Sequence, residues 1–193
     1  MSLAMRAAAY VTMPAIVLCG CLASAPSLPK NWMISAQRNS TAEVDVSKTV
    51  RLGAISVAAP YDRPALAVKR ADGSVAFDAY NVFAASPSAL LRAPLSVLIE
   101  DSGRFGRVLP QSSSARYGAT LETVVTDLSL NCTEDGGRMA TVSLSIAVLE
   151  GREVKMFLYG TASADASSGN FSAAFSEAFA KAVAMALESA EDK

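Results

Sequence analysis

Residues 138–149 read RMATVSLSIAVL, and within them Val142, Leu144, Ile146 and Val148 alternate against serines and alanines. A period of two is the mark of a β-strand, whose successive side chains point to opposite faces, so one face of this strand is buried. Residues 117–131 (YGATLETVVTDLSLN) also read as strand, and Glu134-Asp135-Gly136-Gly137 joins the two as a hairpin turn. On the other side, Glu150-Gly151-Arg152-Glu153 turns the chain into a third strand over residues 154–162. The outcome is a three-stranded antiparallel meander that needs cover on its apolar face. A final helix can supply it: Asn170 is a suitable cap, and Phe171, Phe175, Phe179, Val183 and Leu187 step by four, with alanines widening the stripe. Such a stripe is read as core in preference to a partner-binding or membrane-lying face.

Toward the N-terminus, residues 65–69 (ALAVK) and 75–83 (VAFDAYNVF) flank Ala71-Asp72-Gly73-Ser74, a hairpin signal that pairs them antiparallel. Ser86-Pro87 opens a helix running to about Ser102, with Leu90, Leu91, Leu95, Leu98 and Ile99 as its stripe and Gly103 as its stop. Pro94 inside that stripe predicts a kink, at a cost of roughly 3 kcal/mol if nothing compensates. Residues 50–58 (VRLGAISVA) form a core strand with one irregularity near Gly53, residues 107–109 a short strand, and residues 31–36 a first strand. The fold class predicted is α/β (α+β): one domain, with a mixed, mostly antiparallel sheet and two main helices packed on it.

Composition removes several classes of function. The 193 residues allow one domain with a real core. Net charge is -1 and the 17 Lys and Arg are scattered, so the basic footprint of a nucleic-acid binder is missing. There is no histidine, which removes Ser-His-Asp and Cys-His catalysis and most zinc sites. No phosphate-binding Gly-rich loop, nucleophile elbow or dinucleotide fingerprint occurs. We therefore expect no enzyme activity, no cofactor and no metal. Glu134 and Asp135 beside Gly136-Gly137 lack the oxygen spacing of a calcium loop and read as a solvated turn.

The N-terminus points to a compartment. Residues 7–18 (AAAYVTMPAIVL) follow Arg6 as an apolar run well short of the roughly 20 residues a membrane-spanning helix needs. Leu18-Cys19-Gly20-Cys21 then resembles the bacterial lipobox, with Cys21 as the acceptor, because Cys19 would place Leu18 where a small residue belongs. Residues 1–20 are thus read as a lipoprotein signal peptide, 21–30 as a lipidated, proline-containing tether, and 31–193 as the periplasmic domain. More than one acyl chain holds firmly, since each buried methylene contributes about 0.8 kcal/mol and a single chain anchors only marginally. Leu22 in place of an aspartate favours the outer membrane by resemblance. Cys132 then has no partner and is expected to be a small buried hydrophobe.

One loop stands apart. In Pro60-Tyr61-Asp62-Arg63-Pro64 two prolines bracket an aromatic and an opposite-charge pair between two strands. Either it is a rigid turn whose Asp62 and Arg63 satisfy backbone groups, or Tyr61, Asp62 and Arg63 form a partner contact. From this loop outward the chain resembles the ABC-type transport auxiliary lipoprotein family (PqiC-like). Pro60, Tyr61-Asp62-Arg63-Pro64, the strand at 65–70, Gly73, Tyr80, Phe83, Ser86-Pro87, Ser102-Gly103-Arg104-Phe105 and Val108 follow the family's order. Val82-Phe83 stand where many members carry Arg-Trp, and Pro94 is an addition. The resemblance implies a lipid-anchored accessory subunit, on the periplasmic face, of a transporter of lipids or hydrophobic compounds. Its implied partners are an MCE-domain protein and an inner-membrane ABC permease and ATPase, with a second copy of the chain as a further candidate. The alternative is a structural or assembly lipoprotein of the outer membrane that binds an envelope partner without transport.

Overall fold

The computed structural model describes residues 28–38, 45–133 and 135–189. In chain order its elements are β1 (Lys30–Trp32), a 3-10 turn (Val46–Lys48), β2 (Val50–Val57), β3 (Ala65–Lys69), β4 (Val75–Phe83), α1 (Pro87–Leu90), α2 (Arg92–Asp101), β5 (Val108–Leu109), β6 (Ala119–Cys132), β7 (Arg138–Glu150), β8 (Glu153–Asp165) and α3 (Phe171–Glu188). All strands belong to one eight-stranded sheet. The alternating run in β7 sits as its periodicity demands: Ala140, Val142, Leu144, Ile146 and Val148 are buried, and the residues between them are half-exposed.

The meander is present, with β7 antiparallel to both β6 and β8. Helix α3 covers its inner face. Phe171, Phe175, Phe179, Val183 and Leu187 are all buried, and Asn170 Oδ1 accepts the Ala173 N–H at 3.2 Å as the N-cap. The fit between α3 and β8 depends on Gly160. A Cβ at that position would lie 1.8 Å from the Ala182 carbonyl oxygen of α3. Only a residue without a side chain lets the helix backbone approach the strand so closely.

Strand β6 is the hub of the remaining sheet. One edge of it pairs with β7. Its other edge receives β2, from Val50↔Ala119 to Val57↔Val125, and then β3, from Ala67↔Ser129 to Lys69↔Asn131. Both are parallel to β6 and lie end to end along it. The turn over residues 60–64 is therefore a jog in which the chain steps off one edge and returns to it in the same direction. Prolines suit the jog because neither offers an N–H that the interrupted ladder would leave unpaired. In β6 the register shifts between Val125 and Asp127, close to the jog. The irregularity anticipated near Gly53 is a register shift between Leu52 and Ile55.

Three expectations are corrected. The sheet is mixed and not mostly antiparallel: β1 with β4, β2 with β5, β2 with β6 and β3 with β6 are parallel. Parallel neighbours need long crossover connections, which local periodicity does not encode. The helix over 86–102 is not one kinked rod but two helices meeting at Leu91. Pro94 falls in the first turn of α2, where its missing N–H has no intrahelical acceptor to lose, so the interior penalty is avoided. Cys132 is half-buried at the end of β6, not enclosed in the core.

The N-terminal segment is stitched to α3. Ser35 N–H donates to Ser176 Oγ at 3.0 Å, and Ser172 Oγ donates to the Met33 carbonyl at 2.6 Å. Trp32 meets Phe171 edge-on at 5.5 Å between ring centroids, and Phe83 of β4 meets Phe175 at 5.3 Å. Cys21 and residues 1–20, read as the acceptor and signal peptide, lie outside the described residues, as does most of the 21–30 tether.

The contact at Gly160 generates a prediction. Gly160→Ala forces α3 to lift from β8, and overpacking of this kind costs about 2 kcal/mol or more. Thermal denaturation should show a fall of roughly 4–8 °C. Thr161→Ala, on the exposed side of the same strand, should change stability by no more than about 0.5 kcal/mol.

Candidate functional site

The jog places its three candidate residues on different neighbours. Asp62 Oδ1 accepts the Ser88 backbone N–H at 3.0 Å. This is the first turn of α1, where the N–H groups have no intrahelical partner. Ser86, the cap expected from the sequence, makes no side-chain capping bond, so the cap comes through space from Asp62. Arg63 lies over the Phe77 ring of β4, its guanidinium carbon 4.3 Å from the ring centroid. A cation–π pair at a partly exposed site contributes about 0.5–1 kcal/mol. Tyr61 packs against the core, and Lys69 Nζ lies 5.4 Å from its ring centroid.

Lys69 ties the jog to the bulged part of β6. Its Nζ donates to Asp127 Oδ2 at 2.5 Å, and Asp127 Oδ1 accepts from Ser129 Oγ at 2.7 Å. Burial alone works against the Lys69 ammonium, but the bonds to Asp127 and Tyr61 outweigh it and hold its pKa above the ordinary lysine value. The network continues across the outer face of the sheet: Asn131 Nδ2 donates to Thr141 Oγ1 at 2.7 Å, and Thr141 Oγ1 lies 2.8 Å from Ser163 Oγ. Tyr61, Asp62 and Arg63 are thus each engaged within the fold, and they do not converge on a common point. The sequence reading missed Lys69, Asp127 and Phe77, whose partners are distant in the chain.

A concave feature lies at the far end of the sheet, where β2 and β6 begin and β7 ends. It is a cavity of about 310 Å³. Val50, Phe105, Ala119, Val148 and Met156 form its apolar wall, and Lys48 and Arg104 stand at it as cations. Arg104 is anchored, because its Nη1 donates to the Leu187 carbonyl at 2.6 Å and so satisfies one of the open carbonyls at the end of α3. Gly106 lets the loop close over the 3-10 turn: a Cβ there would lie 1.9 Å from the Asp45 carbonyl oxygen. Glu150 also reaches this cavity, with its carboxylate 3.9 Å from Lys155 Nζ. Among the described residues no group of three or more Cys, Asp or Glu is arranged to hold a metal ion. No described helix is long and apolar enough to cross a membrane.

Loss of the Asp62 cap should be visible in stability. Asp62→Ala is expected to cost about 1 kcal/mol, a fall of roughly 2–4 °C in thermal denaturation. Unchanged melting accompanied by loss of a bound partner would overturn the capping role and restore the contact reading of the loop.

The sequence matches no protein-family model and no curated protein. Solved structures do resemble it. An uncharacterized protein superposes with a TM-score of 0.65 at 10% identity, covering 84% of this chain and 99% of that one. Protein XCC0632 from Xanthomonas campestris, designated DUF330, superposes with a TM-score of 0.64 at 19% identity, covering 83% of this chain and 91% of that one. A PelC dodecamer from Paraburkholderia phytofirmans gives a TM-score of 0.42 at 15% identity, covering 77% of this chain and 96% of that one. At these identities the first two likenesses show a shared fold: this chain is a single mixed α/β domain built on the same plan as XCC0632.

Proposed function

We propose that this chain is a membrane-tethered accessory lipoprotein of the ABC-type transport auxiliary (PqiC-like) kind. In this reading it serves a system that moves lipids or other hydrophobic compounds across the envelope. The observation that carries the reading is Leu18-Cys19-Gly20-Cys21 at the end of the apolar run of residues 7–18. Cys21 takes the lipid, residues 22–30 lift the domain off the membrane, and the domain faces the periplasm from the outer membrane. One further feature supports the reading. The ordered run of family residues from Pro60 to Val108 starts at the jog along β6 and continues through β3, β4, α1 and α2 to the first residue of β5.

The role is a binding role. With no histidine in the chain, the domain has no ready proton shuttle near neutral pH. Energy for transport comes from the ATPase of the system, and the domain contributes a surface for the MCE-domain protein and permease.

Labelled palmitate should enter the wild-type chain and not Cys21→Ser, and the substituted protein should leave the membrane fraction while keeping its melting temperature. The wild type should co-purify with an MCE-domain protein from its own cells. Equal labelling of both forms contradicts the anchor, and labelled protein recovered without any transport component contradicts the transport role.

A further inference from the structure

The cavity at the end of the sheet combines an apolar wall with two cations, and this combination selects a kind of ligand. Val50 and Val148 are buried at its base, whereas Met156 is 40% exposed, so the wall continues to the surface. At about 310 Å³ the space is near the lower end of the roughly 300–1,000 Å³ typical of small-molecule sites. That suits one hydrocarbon chain better than the two of a phospholipid. Lys48 comes from the 3-10 turn before β2, and Arg104 from the loop after α2. Their attachment differs. The guanidinium of Arg104 is held by the end of α3, while Lys48 forms an ion pair, among the described residues, with Asp45 alone, at 3.8 Å. A planar guanidinium keeps further donors when one is used, and an ammonium on a long stem can swing to meet an anion. The carboxylate of Glu150, 63% exposed and beside Lys155, does not cancel both cations.

We propose that this cavity binds a single-chain anionic amphiphile, with the chain against Phe105, Val148 and Met156 and the anionic head between Lys48 and Arg104. Fatty acids and lysophospholipids share this chemistry. The site is independent of the transport reading, since an accessory subunit can act by contact alone and a lipid-binding domain need not belong to a transporter.

A diazirine-bearing decanoic acid, photolysed on the purified full chain below its micellar concentration and mapped by peptide mass spectrometry, tests the assignment. Label should concentrate in the peptides that carry Phe105 and Met156. Met156→Trp fills the cavity from an exposed position and should reduce labelling at least tenfold without lowering the melting temperature. Lys48→Glu should reduce it several-fold. Unlabelled decanoate and a lysophosphatidylglycerol of similar chain length should compete, and the stronger competitor identifies the head group, carboxylate or phosphate. Decyl maltoside, neutral with the same chain, should compete at least tenfold less well. Labelling spread over the surface, labelling unchanged in Met156→Trp, or equal competition by the maltoside would overturn the proposal. Failure of the palmitate and co-purification experiments would leave it standing.

Discussion

The seating of α3 on the meander is the contact on which the rest of this structure depends. Its phenylalanine stripe fills the inner face of β7 and β8, and Gly160 removes the one side chain that would hold the helix away. Truncating a buried phenylalanine costs roughly 3–5 kcal/mol, a large share of the 5–15 kcal/mol that holds a domain folded. Other parts of the chain then take their positions from the helix. The segment after β1 hydrogen-bonds to Ser172 and Ser176, Phe83 of β4 rests on Phe175, and Arg104 closes the carboxyl end at Leu187. A displacement of α3 would therefore be felt at both ends of the molecule.

The second organising constraint is the shared edge of β6. Two strands lie in tandem along it, and the chain must leave and rejoin that edge within a few residues. The physical content of the Pro-Tyr-Asp-Arg-Pro turn follows from this. Its prolines remove donors that the interrupted ladder cannot pair, Asp62 caps the first turn of α1, and Arg63 lies on the exposed face of Phe77. A motif that stands out in the sequence because of its charges turns out to hold three elements together. Its side chains are already engaged, so any partner meeting this loop meets a rigid surface and orders little on binding.

Local patterns made much of the fold legible. The alternation in β7, the step of four in α3, the Asp72-Gly73 hairpin and the irregularity at Gly53 were all readable because each is a short-range consequence of backbone geometry. What escaped has long-range causes. The parallel pairing of β2 and β3 with β6 depends on segments far apart in the chain. The cap on α1 comes from Asp62 and not from the neighbouring Ser86. Pro94 looked disruptive only because the break at Leu91 has no strong local signal. The cavity was invisible for the same reason, since its wall is drawn from separate stretches of chain that only the folded sheet brings together.

Native-state hydrogen exchange tests most directly whether α3 and the meander form the unit on which the structure depends. The account predicts that the slowest amides lie in α3, β7 and the paired edge of β8, and that they exchange together, with one opening free energy equal to that of global unfolding. The jog and the loop carrying Arg104 should open earlier, at lower free energy. If α3 exchanges well before β7, through a separate opening that leaves the sheet intact, the helix is a cover and not the keystone, and the account is contradicted.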